Sequence, residues 1–139
     1  MINNILIPRK LIKRWVKLAK QHYPNEILIF FSGNVNGQTA MIESWFIDCL
    51  RRISELAVFI DYQCILRHIK EHAILGYIHS HTNGSIWPSS EDYSVLAAIG
   101  GQVVGVMAFE SEHKVKVQFF DYYGNVIPVN SYEYLYVWI

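Results

Sequence analysis

The chain of 139 residues predicts a single α/β domain, residues 1–139, built on a mixed, mainly antiparallel sheet flanked by helices. Short apolar runs of strand length alternate with three stretches of helical period, which argues for a layered α/β architecture. No repeat, linker or low-complexity segment interrupts the pattern, and a chain of this length buries roughly two-thirds of its unfolded surface in one core.

Pro8 to His22 reads as an amphipathic helix, with Leu11, Trp15, Leu18 and Ala19 inward and Lys10, Lys13, Arg14, Lys17 and Lys20 outward. Ile27 to Phe31 is a buried strand, Gly33 to Gly37 its hairpin turn and Thr39 to Phe46 the return. Leu56 to Ile60 is a further strand and Gln63 to His72 a helix. His68 and His72 stand i, i+4 on that helix, but with no HExxH glutamate and no third ligand they read as surface histidines.

Ala73 to Ile78 is a continuous apolar run of strand length. Side chains two apart on a strand share a face, so His79 and His81 emerge together as it ends. Pro88-Ser89-Ser90-Glu91-Asp92 then starts a helix, with Ser89 or Ser90 as N-cap and Asp92 in the first turn, where a carboxylate is favoured. Gly100-Gly101 closes it. Val103 to Phe109, Val115 to Phe120 and, after a turn at Tyr123-Gly124-Asn125, Val126 to Val129 are strands.

Two histidines and a carboxylate are the ligand set of a catalytic zinc that keeps one position open for water. Each piece alone has a structural reading: Ser-x-x-Asp is a common helix-capping signature, and a lone His-x-His is more often not a ligand pair. In order and in tight spacing, they favour a metal site formed by His79, His81 and Asp92.

The run His79-x-His81-x7-Ser89-x2-Asp92 resembles the signature of the JAMM (JAB1/MPN/Mov34) metalloproteases, whose pattern adds an upstream glutamate at the start of a strand. By its place between a helix and an apolar run, Glu26 is the best match; Glu43, within a second strand-like segment, is the alternative. Many members carry proline after the second histidine, where this chain has Thr82, a change expected to affect loop stiffness rather than chemistry. The resemblance implies a three-layer, cytidine-deaminase-like fold and a zinc isopeptidase or peptidase acting on a ubiquitin-like or sulfur-carrier protein. Within it Glu26 is the general base and Ser89 the hydrogen-bond donor to the oxyanion. Ser80, between the ligands, points to the other face, in a packing or backbone-bonding role.

Larger deubiquitinases of the family carry insertions that grip ubiquitin, and this chain is too short for long ones. It therefore resembles the compact prokaryotic members. Trp87 either walls a narrow groove for a Gly-Gly-type tail or packs its loop. The alternative from another class is a non-catalytic MPN scaffold, which needs no open metal site. A nucleobase deaminase would want His-x-Glu and Pro-Cys-x-x-Cys, and the chain has neither.

Twelve basic and twelve acidic residues balance, so neither nucleic acid nor a membrane surface is implied as partner. No apolar run approaches a membrane span, and none before Arg9 and Lys10 is long enough for a signal peptide. Cys49 and Cys64 lack a nucleophile motif and read as core residues in a reducing compartment. The expected location is the cytosol. At the C-terminus Tyr132, Tyr134, Tyr136 and Trp138 alternate, lining one face of a strand as edge packing, a homodimer contact or a docking edge for an extended tail.

Overall fold

The computed structural model describes residues 1–47, 50–53, 58–60, 62–71 and 73–139. The elements run β1 (Asn4–Leu6), α1 (Arg9–His22), β2 (Leu28–Asn36), β3 (Thr39–Phe46), β4 (Leu50–Ile53), β5 (Val58–Ile60), α2 (Tyr62–Glu71), β6 (Ile74–His81), α3 (Ser90–Ala98), β7 (Val103–Ser111), β8 (Lys114–Asp121), β9 (Val126–Ile127) and β10 (Leu135–Trp138). The main sheet has the order β1-β3-β2-β6-β7-β8-β10, with β9 on β8, and β4 and β5 form a separate ribbon. Among the described strands, β1 with β3 and β6 with β7 pair in parallel and the other pairs are antiparallel. The expected mixed, mainly antiparallel sheet flanked by helices is what forms.

The strands are sorted by side-chain alternation. In β2, Ile29 and Phe31 join the core under α1, whereas Leu28 and Phe30 face the opposite side with Ile65 of α2 and Leu96 of α3. A strand covered on both faces reads as an unbroken apolar run, which is why Ile27–Phe31 and Ala73–Ile78 are so uniform. The centre of α1's buried stripe is Ile12, Trp15, Val16 and Ala19. Leu11 and Leu18, expected inward, sit at its margin and are only partly buried.

Other expectations are corrected. β2 runs through the anticipated turn, because Gly33 lies at an irregularity in its pairing and an added Cβ would come within 1.8 Å of the Met41 carbonyl. The chain reverses at Gly37, whose φ of +62° suits glycine. His68 is half-buried, its ring stacked on Phe46 at 3.8 Å, not a surface histidine. Cys64 is buried beside Ile65, but its sulfur is disulfide-bonded, which does not fit a reducing compartment. Cys49, His72 and the start of the Leu56–Ile60 strand lie outside the described residues. Among the described residues, no helix is long and apolar enough to cross a membrane.

The C-terminal aromatics do alternate with buried Leu135 and Val137, but Tyr136 and Trp138 face solvent at the sheet edge. Their rings carry cations: Lys114 Nζ lies 4.2 Å from the Tyr136 centroid and Lys116 Nζ 4.2 Å from that of Tyr134.

β6 and β7 meet where Gly76 opposes Val103, and a Cβ on Gly76 would fall 1.7 Å from the Val103 carbonyl oxygen. Gly76→Ala is therefore expected to cost at least about 3 kcal/mol in denaturant unfolding, with a loss under about 1 kcal/mol contradicting this close approach.

Candidate metal centre

Three elements converge at the carboxyl end of β6. His79 and His81 lie on the last turns of its pleat, on the α3 side of the sheet, and their rings stand 5.0 Å apart at 83°. Asp92 enters from the first turn of α3. One ligand atom from each of His79, His81 and Asp92 can be chosen so that all lie within 4.8 Å of one another. Glu26 sits in the connection from α1 to β2.

The helix start presents Asp92 through a capping box. Ser89, in extended conformation, accepts a hydrogen bond from the Asp92 backbone N–H at 3.2 Å, while Asp92 Oδ2 accepts from the Ser89 N–H at 2.8 Å. Such a cap contributes about 1 kcal/mol. At the far end Gly100 adopts φ +67°, and the N–H groups of Gly100 and Gly101 donate to Ala97 and Leu96, a Schellman closure. Capping and carboxylate placement are one structure here, so the capping and metal readings of Ser-x-x-Asp do not compete.

Most of the polar groups have a fixed partner. His79 Nδ1 is 3.0 Å from Asp92 Oδ1, and His81 Nε2 is 3.3 Å from Asp92 Oδ2. His81 Nδ1 donates to the Ser85 carbonyl at 2.9 Å, which fixes the ring with Nε2 turned toward Asp92. Tyr77, two residues before His79 on the same strand face, donates to the Asp92 carbonyl at 2.6 Å and lies 3.2 Å from Oδ1. Glu26 Oε2 is 3.1 Å from His79 Nε2. That contact is an ion-pair distance without hydrogen-bond alignment, since the buried Nε2 has no hydrogen-bond partner.

Ser80 points away from the ligands, as alternation requires, and is fully buried. Its Oγ accepts from the Ile27 N–H at 2.8 Å and its N–H donates to the Ile27 carbonyl at 3.1 Å. This two-bond clamp fixes the residue next to Glu26 against the histidine strand. Glu43 is elsewhere: exposed on β3, it accepts from Asn34 Nδ2 at 2.7 Å.

Burial of His79 disfavours its charge, yet the bond to Asp92 and the carboxylate of Glu26 raise its pKa to about 9. Burial likewise opposes ionisation of Asp92, and the hydrogen bonds from His79, His81 and the Ser89 N–H nevertheless hold it well below the usual carboxylate range. The donor set suits a borderline-soft divalent ion: two imidazoles and a carboxylate, one buried imidazole nitrogen unpartnered, and an open side toward a cleft of about 290 Å³. That cleft is lined by Glu26, His81, Asn83, Trp87, Ser89 and Val95, among others. Trp87 is 62% exposed with its ring 5.6 Å from Phe120, so it both walls the cleft and packs its loop.

Sequence reasoning named Glu26, His79, His81, Ser89 and Asp92, and all five line this one cleft. It missed Tyr77, whose signal was a tyrosine at i−2 from the first histidine, and Ser85, whose contribution is a backbone carbonyl.

No protein-family model and no curated protein matches the chain by sequence. Solved structures do. A protein from Desulfitobacterium hafniense, known from a solution structure, aligns at TM-score 0.69 with 20% identity over 90% of each chain. A JAB1/MPN domain protein from Archaeoglobus fulgidus aligns at 0.57 with 18% identity, over 92% of this chain and 97% of that one. A JAMM structure, described as a metalloprotease-like zinc site in the proteasome and signalosome, aligns at 0.56 with 19% identity, over 93% and 98%. The fold is thus that of JAB1/MPN domains, as the motif resemblance implied. Within that fold, this chain carries a His-His-Asp group able to hold a metal ion.

A ligand histidine must be neutral to bind a metal. With the His79 pKa at about 9, the metal-free protein holds this proton at neutral pH, so zinc uptake at pH 7 is expected to release about one proton. Calorimetric titrations in two buffers of different ionisation enthalpy should differ accordingly, and identical enthalpies would contradict it. By the same linkage, the stabilisation of the metal-free protein by protonated His79 is complete below about 6.5 and lost as pH rises through about 9.

Proposed function

We propose that this chain is a zinc-dependent peptidase or isopeptidase that cuts at the C-terminal tail of a ubiquitin-like or sulfur-carrier protein. The observation that carries the reading is the carboxylate of Glu26 beside an orphaned, buried imidazole nitrogen, at the mouth of a cleft that a metal-capable trio closes from below. A non-catalytic MPN scaffold needs neither an open ligand position nor a proton acceptor next to it.

His79, His81 and Asp92 are the residues that would hold the ion. When bound, zinc supplies Lewis-acid polarisation of the scissile carbonyl and acidification of water. Glu26, clamped through Ile27 and Ser80, accepts the proton of the attacking water and returns it to the leaving amine. The Ser89 hydroxyl spends its acceptor capacity on the helix cap and keeps its hydrogen free, so it can donate to the oxygen that gains charge. Tyr77 and the Ser89 N–H hold Asp92 in place without entering the cleft.

The substrate class follows from the motif resemblance. The cleft of about 290 Å³ that Leu28, Trp87 and Val95 help to line has room for an extended Gly-Gly tail.

Glu26→Gln should keep its metal while hydrolysis of a Gly-Gly-tailed substrate falls at least ~100-fold. Ser89→Ala should lower kcat on the order of 10²-fold. Full activity in Glu26→Gln would remove Glu26 as base and with it this mechanism.

A further inference from the structure

Half of the chain's basic residues lie on α1: Arg9, Lys10, Lys13, Arg14, Lys17 and Lys20. Among the described residues, none of the six forms an ion pair with an acidic side chain. Arg9 leans on Tyr132 and Arg14 on Trp45, at 5.9 and 5.3 Å from the ring centroids, and Lys20 Nζ contacts His113 Nδ1 at 3.1 Å.

Lys10, Lys13, Arg14, Lys17 and Lys20 form one stripe along the helix, opposite the buried stripe of Ile12, Trp15, Val16 and Ala19. With Gln21, Trp138 and Ile139 they line a shallow groove of about 750 Å³. Trp138 is 70% exposed there.

We propose that this groove docks an acidic amphipathic helix of a protein partner, an interaction distinct from hydrolysis in the metal cleft. The positive charges recur at steps of three, one, three and three, so they face the i, i+3, i+4, i+7 carboxylates of a helix lying alongside. The stripe spans eleven residues, Lys10 to Lys20, about 15 Å of helix, enough for nearly three turns of a partner. Trp138 at the rim supplies the aromatic anchor that a purely ionic groove lacks.

The same features disfavour a phosphate backbone. The chain as a whole carries no net charge, and the exposed Glu112, 3.9 Å from His113, puts a carboxylate beside the contact of Lys20 with His113. A polyanion tracking the surface would run into that carboxylate.

Binding of a fluorescein-labelled synthetic helix, with glutamates at those positions and leucine on the flank, tests this by fluorescence anisotropy on the full chain. Saturable binding is expected, weakened about tenfold or more by Lys13→Glu with Lys17→Glu and also weakened by Trp138→Ala. A peptide of the same composition with the stripe scrambled should bind at least about tenfold more weakly. The exposed substitutions leave the core intact, and circular dichroism verifies folding. No saturable binding, equal binding of the scrambled peptide, or binding indifferent to the charge reversals would each overturn the proposal. Tighter binding of an oligothymidylate or of phosphatidylserine vesicles would overturn it in favour of a polyanion or membrane site.

Discussion

The Asp92 carboxylate is the constraint on which the site depends. It receives the Ser89 N–H, approaches both histidines and stands against the Tyr77 hydroxyl, all within 3.3 Å. One side chain thereby joins the end of β6, the loop after it and the start of α3. A buried carboxylate is costly unless each of its lone pairs is met, and here the partners that offset the cost are the same groups that define the site.

From that carboxylate the architecture works outward. The parallel pairing of β6 with β7 needs a crossover, and α3 is the helix that provides it. A crossover helix starting just beyond the carboxyl end of its strand must place its N-terminal turn over that end, where Asp92 and the histidines meet. On the other side of the sheet the fully buried Trp15 of α1, stacked on Phe31 at 5.8 Å, fixes the helix from which the chain descends to Glu26. The sheet separates a scaffold face under α1 from a working face under α2 and α3.

Much of this was legible because it depends on local spacing. The i, i+2 histidines, the Ser-x-x-Asp cap and the closing glycines each specify a geometry within a few residues. Placement of Glu26 was legible from element order and a family resemblance. What escaped rests on long-range pairing: β1 is three residues held by a parallel partner thirty-five positions away, too short to carry a pattern. The Ser80–Ile27 clamp joins residues separated by 53 positions, and Tyr77 looked like any core aromatic until α3 brought Asp92 to its hydroxyl. The turn at Gly33 failed because a glycine tolerated for close approach within a sheet is spelled like one needed for a turn.

The central claim is that His79, His81 and Asp92 form a metal site and not a structural polar cluster. Elemental analysis of the purified protein, beside His79→Ala and Asp92→Ala, tests it most directly. The account predicts about one zinc per chain, absent from both variants. Protein that carries no metal and takes up none on incubation with zinc would contradict it.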